Sequence, residues 1–415
     1  MRRISEVSVL LLCLVCLALG IGVGEERKPE PANAPADFKK PGNWSAYDAG
    51  SVGGLSTKGF FGAVSDGRYV YFVPCREGSS FHGRVLRYDT KVDFKTASSW
   101  SAYDAGATDG LNTKGYAGAV FDGRYVYFVP FTDNSSRHAR VLRYDTKADF
   151  ATASSWSAYD AGRTDGIPAL GFVDGIFDGR YIYLSPFGYK PFAHGRVVRY
   201  DTRDDFKKPS SWNVYDAGRT DGMDTRGFYG AGFDGRHVYF VPFNDARDFH
   251  GRVLRYDTKG EFKAAGSWSA YDAGKTDGLS TKGYKMAVFD GRHMYFVPFR
   301  DDESRHGRVL KYDTKGDFKA ASSWSAYDAG ATDGIETSGY VGAAFDKRFI
   351  YFIPYGEEGN QFHARVLRYD TQGGFKEAKS WSGYDAKSTD GLTTKGYKGS
   401  ATDGRYIYYV PYHNG

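Results

Sequence analysis

Between residues 115 and 162 the apolar positions fall into four short runs separated by turn-forming residues. GYAGAVFDG (115–123) carries the small residues Gly118 and Ala119 in its middle, and RYVYFVPF (124–131) is continuously apolar. RVLRYDT (140–146) alternates, and WSAYDAG (156–162) opens on a tryptophan. Runs of this length, rich in Tyr, Phe and Val, predict four β-strands. Asp122-Gly123 between the first two predicts a tight hairpin, because both residues accept positive φ. The second strand is apolar on both faces, which an antiparallel strand tolerates only where both faces of its sheet are covered. Small sheets packed face to face around an axis meet that demand, with the Gly-rich strand at the crowded centre, and the pattern predicts a β-propeller.

The same four runs return along the whole chain. All seven tryptophans (Trp44, Trp100, Trp156, Trp212, Trp268, Trp324, Trp381) occupy one repeat position, at steps of 56 residues five times and then 57. A fixed period of this size marks an array of identical supersecondary units. The order of strands, seen for example in Val253-Leu254-Arg255-Tyr256-Asp257 followed by Trp268, resembles kelch-type propeller repeats. It departs from them where the second strand ends in Val241-Pro242-Phe243, since kelch repeats place a Gly pair there. The resemblance implies a propeller used mostly for binding, with a few carbohydrate oxidases among its relatives; the Cys–Tyr pair and converging histidines of a copper oxidase are not visible.

Strands one, two and four are counted seven times and strand three six times. The expectation is therefore an all-β, seven-bladed β-propeller of four-stranded antiparallel blades. In it the Trp44 segment joins the C-terminal strands in a shared closing blade whose third strand is missing. Either that blade is incomplete or the sequence is a fragment.

Composition changes this picture little. Aromatic residues make up 17% of the chain, which suits the stacked sheets. A net charge of +5 spread over 55 basic and 50 acidic residues, interleaved throughout, argues against nucleic acid as a partner. Arg2 and Arg3, an apolar run and then Gly20, Gly22 and Gly24 predict a signal peptide over residues 1–24. The alternative is an uncleaved membrane anchor over residues 7–23, the only route by which a membrane would be a partner. Residues 25–36 include KPEPANAP and predict a Pro-rich linker, leaving 37–415 as the propeller. Cleavage would remove Cys13 and Cys16, and Cys75 alone makes no internal disulfide. A secreted, extracellular or periplasmic monomer is expected. Asn43-Trp44-Ser45 and Asn134-Ser135-Ser136 are glycosylation sequons, meaningful if the source is eukaryotic.

Loops from strand two to three, and from four to the next blade, share one rim, which is the expected functional face. Lys58, Lys114, Arg226, Lys282 and Lys395 recur there, interrupted by Leu170 and Ser338, and are candidates to rim the channel mouth and bind an anion. Asp109, Asp165, Asp221, Asp277, Asp333 and Asp390 recur in the TDG turns; Ca²⁺ is the one cofactor they suggest, although Asp-Gly turns form for conformational reasons alone. No other cofactor or metal is expected. His82, His138, His194, His250, His306 and His363 stand at the start of strand three, roughly two strand spacings from the inner strand. They are read as hydrogen-bonding groups that organise the preceding loop. Asp174 breaks the repeat where other copies carry Gly62, Gly118, Gly230, Met286, Gly342 and Gly399. Its copy also has PALG (168–171) and the loop GYKPFA (188–193), and a local site is expected in this blade.

Two functions compete. A secreted or cell-surface module would bind carbohydrate or an extracellular protein through equivalent loops, where multivalency multiplies modest affinities. An extracellular polysaccharide-acting enzyme would use an asymmetric site around Asp174, but acid–base chemistry needs a second group and Asp174 is one candidate member. Binding is the favoured reading, with no catalytic residue assigned.

Overall fold

Why the repeat folds as it does is plainest in the copy from Tyr116 to Asp160. In the computed structural model, Tyr116–Phe121, Tyr125–Pro130, Arg140–Asp145 and Trp156–Asp160 form one antiparallel sheet in chain order. The described residues are 37–189, 192–356, 359 and 361–412, so the expected leader, anchor and linker lie outside them. Among the described residues no helix is long and apolar enough to cross a membrane. At the first hairpin Asp122 Oδ1 accepts from the amides of Arg124 and Tyr125, while Oδ2 accepts from the Tyr127 hydroxyl. The turn is thereby bolted to the buried second strand.

Five further sheets repeat this order, with inner strands Phe60–Ser65, Phe172–Phe177, Phe228–Phe233, Tyr284–Phe289 and Tyr340–Phe345. The inner strands neighbour one another around the axis. Contact there is close enough to demand glycine: a Cβ on Gly118 would lie 2.8 Å from the Val173 carbonyl oxygen. Between neighbouring blades the second strands meet face to face, burying Tyr127, Val129, Ile182 and Leu184 in one continuous cluster.

The propeller holds six four-stranded blades, and the expected seventh is not one. Its place in the ring is taken by a two-stranded hairpin, Tyr397–Thr402 with Ile407–Pro411, whose first strand packs between the inner strands of the sixth and first blades. The Trp44 segment forms no strand. Among the described residues no third strand follows Ile407–Pro411, so residues 44–48 have no strand edge to pair with.

Side chains close the ring instead. In each blade the tyrosine of the outer strand stacks on the next blade's tryptophan, as Tyr103 on Trp156 (5.2 Å, 14°). The series continues through the seam as Tyr384 on Trp44 (5.4 Å, 21°) and Tyr47 on Trp100 (5.6 Å, 13°).

A second device ties blades together in a longer stride. Asp109 adopts φ 53°, a left-handed conformation that Asp tolerates, and its Oδ2 accepts from the Ala158 amide (2.8 Å) and from Lys207 Nζ (2.8 Å) two blades on. The same latch joins Asp165 to Val214 and Lys263, Asp221 to Ala270 and Lys319, and Asp277 to Ala326 and Lys376. Across the seam it joins Asp333 to Gly383 and Lys39, and Asp390 to Ala46 and Lys95. The copy that has Gly53 in place of the aspartate has Ala151 in place of the corresponding lysine. Donor and acceptor are missing together.

Asp221→Ala is therefore expected to cost about 1–2 kcal/mol, since it leaves a buried-edge amide without its charged acceptor. Gly53→Asp with Ala151→Lys should restore the seventh latch and add roughly 0.5–1 kcal/mol, more than the two single changes summed. Urea denaturation of the single and double variants measures both effects.

Candidate functional site

The loop-rich rim is assembled by the histidine and arginine that open each third strand. His138 Nε2 donates to the Lys114 carbonyl (2.8 Å), and its Nδ1 accepts from the Arg140 amide (3.2 Å). The same pair of bonds recurs at His82, His194, His250, His306 and His363. Each ring thus joins the third strand to the loop that enters the inner strand. Arg140 then reaches the Asn112 carbonyl through Nε (2.6 Å) and the buried Asp133 carboxylate through Nη2, fixing both loops of the rim.

The predicted basic residues lie against the loops that carry them. The alkyl chain of Lys58 folds back over Gly50, where a Cβ would meet its Cε at 3.2 Å, and Lys114 lies over Gly106 in the same way. Arg226 is held by Asp224 through two bonds of 2.7 and 2.5 Å. Lys282 and Lys395 are half-buried at the equivalent positions, and Lys58 is exposed. The carbonyls of Lys58, Lys114, Arg226 and Lys282 serve the histidines. The aspartates considered for Ca²⁺ are the six latch carboxylates, each already facing a lysine ammonium. Among the described residues no three His, Cys, Asp or Glu side chains are grouped to hold a metal ion.

Asp174 is buried in the wall between blades. Its Oδ2 accepts from the Ala231 amide (3.0 Å), and Ser185, its cross-strand partner, donates to the adjoining Gly230 carbonyl (3.2 Å). Asp174 and Ser185, the latter in place of the Val or Ile of the other copies, thus satisfy both polar groups of one peptide unit in the fourth blade. Burial raises the Asp174 carboxyl to about 6, opposed by the backbone donors of Ala231 and Gly175. None of the hydrogen-bond partners described for it is titratable.

What the structure places around the axis is a column that sequence reasoning passed over. Every inner strand is irregular just after its first residue, where its pairing with the second strand shifts. Such a bulge re-aims a side chain. The residues at this second position are Phe61, Ala117, Val173, Tyr229, Lys285, Val341 and Lys398. Above them runs a collar of aromatics from the ends of the second strands. Phe131, Phe187, Phe243, Phe299, Tyr355 and Tyr412 follow one another at centroid spacings of 5.3 to 6.4 Å. Phe61 bridges Tyr412 (5.0 Å) and Phe131 (6.2 Å) beside Cys75, which breaks the aromatic series. The Cys75 thiol is buried and pushed up to about 12 by burial, so it stays protonated at neutral pH.

Two lysines enter this collar. Lys285 Nζ lies 3.6 Å from the Tyr229 centroid, 4.4 Å from Phe299 and 4.5 Å from Phe243, and the residue is only 6% exposed. Lys398 Nζ lies 4.2 Å from Tyr355, 4.6 Å from Phe61 and 5.0 Å from Tyr412. Burial pushes both amines down, Lys398 to about 8, and Lys285 well below the ordinary lysine value through burial first and then the nearby Lys398 and Arg305. Across the axis Ala117 and Val173 present small side chains. The channel is therefore asymmetric, cationic and aromatic along one arc and small and apolar along the other.

No family model and no curated protein matches the chain. Solved structures do share its architecture. One is the extracellular domain of a protein assigned as a one-component system in B. thetaiotaomicron, 11% identical over 88% of this chain with a TM-score of 0.51. A second, the extracellular domain described as part of a hybrid two-component system of the same organism, is 12% identical over 88% with a TM-score of 0.52. The likeness is one of fold. The chain spans 38% of the length of each of these neighbours.

The histidine geometry makes stability sensitive to pH. Burial lowers His82, His138, His194, His250 and His306 from 6.5 to about 4, so over that window the unfolded chain binds more protons than the folded one. Stability should fall as pH drops from 6.5 towards 4, by on the order of 1–3 kcal/mol per histidine. Asp174 acts oppositely, because its raised pKa favours the folded state as pH falls below about 6. Urea midpoints measured from pH 7 to 4.5 should decline steeply, and His250→Gln should flatten the decline while lowering stability at pH 7.

Proposed function

We propose that this chain is an extracellular ligand-binding propeller that takes a carbohydrate at the channel mouth on its loop-rich face. The observation that carries the reading is the aromatic collar, which stays half-open at Phe61, Phe131, Tyr229, Tyr355 and Tyr412. Aromatic faces stack on the C–H faces of sugar rings, and a concave site lined by them with a few placed polar groups is the usual form of a small-ligand pocket. The kelch-like character of the repeat and the expected signal peptide point the same way, and so does the extracellular setting of the two structural neighbours. An extracellular protein is the other partner class the rim would serve. If residues 7–23 remain as an anchor, the propeller would display this face at a membrane surface.

A glycan array of neutral, acidic and sulfated sugars probed with the propeller tests the proposal. Binding is expected, reduced at least tenfold by Phe131→Ala or Tyr229→Ala. Lys114→Ala with Lys282→Ala, which measures the share of the recurring basic residues, should change affinity less than about threefold, as expected for partly exposed charges screened by solvent. Retention of all glycan binding in Phe131→Ala and Tyr229→Ala would move the ligand off the channel. Binding to no glycan would overturn the carbohydrate reading.

A further inference from the structure

We propose that the channel recognises a carboxylate borne on a compact ring, held between Lys285 and Lys398. This inference rests on the binding reading above and names the ligand's chemistry. The carboxylate would belong either to a terminal uronate of a polysaccharide or to a free ring acid.

The argument begins with what the fold does not require. At the same bulged position five copies carry Phe61, Ala117, Val173, Tyr229 and Val341, so apolar side chains of any size satisfy the inner ring. Two lysines at that position are costly, because burying an ammonium without a counter-ion is unfavourable. Among the described residues neither has a hydrogen bond or an ion pair with a carboxylate; each ammonium is met by three aromatic rings. Cation–π contacts offset part of the cost, about 0.5–2 kcal/mol for each ammonium. The two amines flank the arc on which Arg305 also lies, over Phe299 (4.8 Å) and Tyr355 (5.5 Å). Elsewhere in the same ring Ala117 and Val173 are small and apolar, buried in one cluster with Phe187, Phe243 and Phe299. An anionic group placed between the amines would supply the missing charge, and its ring would lie against the collar.

Such a ligand has a titration signature. A carboxylate between the amines favours their charged forms, and Lys398 is near half-protonated at about pH 8 when the channel is empty. Binding above that pH therefore takes up protons, and affinity falls as pH rises past 8.

The experiment is calorimetric titration of the full chain with glucuronate, a tetrauronide, benzoate and, as the uncharged control, glucose. Glucuronate is expected to bind at least tenfold more tightly than glucose, and Lys398→Met and Lys285→Met should each lose at least tenfold. Their thermal midpoints should be unchanged or raised, since each removes an amine whose charged form the site disfavours. At pH 8.5 the binding enthalpy should depend on the ionisation enthalpy of the buffer, as proton uptake requires. Tighter binding of the tetrauronide assigns a polymer end, and equal or tighter binding of benzoate assigns a free ring acid. Equal affinity for glucuronate and glucose, with loss in Phe131→Ala, would overturn this inference and leave the carbohydrate reading standing. Glucuronate binding that survives both lysine variants would overturn it as well. No binding of any probe would overturn both.

Discussion

Every second strand in this chain is apolar on both faces, and all else in the architecture answers that constraint. A sheet with two apolar faces needs a neighbour on each side, and the only finite stack without ends is a ring. The seam is the point of difficulty, because the unit between Tyr397 and Pro411 supplies two strands where four are wanted. The chain resolves it without completing the sheet. Trp44 takes its place against Tyr384 and Tyr409, and its indole N–H donates to the Phe38 carbonyl as Trp156 donates to Phe150. Stacking does the work that strand pairing does elsewhere, so the blade count and the closure of the ring are separate properties.

The latches show how a repeat divides its labour. Asp109 accepts a backbone donor from the blade that follows it and a lysine from the blade after that, so each carboxylate spans three units. Nearest-neighbour packing alone would let blades shear past one another, and a contact with a two-unit stride resists that motion. The joint loss of acceptor and donor at Gly53 and Ala151 is what this pairing demands, since an unpaired lysine or aspartate would have no reason to stay.

The strands, their order and the position of the axis were legible in the sequence because each depends on local pattern: an Asp-Gly turn, an apolar run, a small residue where strands crowd. The blade count is not legible there, because the Trp44 segment carries the pattern of an outer strand, whereas a strand is defined by a partner that lies elsewhere. The latch role of the TDG aspartates is not legible either, because their lysines, 98 residues away in the case of Asp109 and Lys207, give no local signal. Asp174 drew notice because it interrupts a column of glycines. Lys285 and Lys398 drew none, for their column already varies among Phe, Ala, Val and Tyr. Alternation assigns a strand residue to one face or the other, but these residues sit in a bulge where alternation fails.

That failure is informative about where function can enter a scaffold of near-identical units. Histidine, arginine, aspartate and tryptophan positions are each fixed by an interface, and a change at one of them breaks a bond between strands or blades. The bulged column is fixed by none. Its side chains project from the inner strand towards the axis, so a substitution there alters the channel and leaves the blade intact. A symmetric ring can therefore acquire a one-sided site by a handful of changes: Lys285 and Lys398 on one arc, Ala117 and Val173 on the other, and Cys75 in place of an aromatic, beside which Phe61 bridges the collar. Asp174 and Ser185 then have a structural logic of their own. They tie the Gly230–Ala231 peptide to the third blade, adding directional polar bonds between neighbouring inner strands to the apolar packing of the axis.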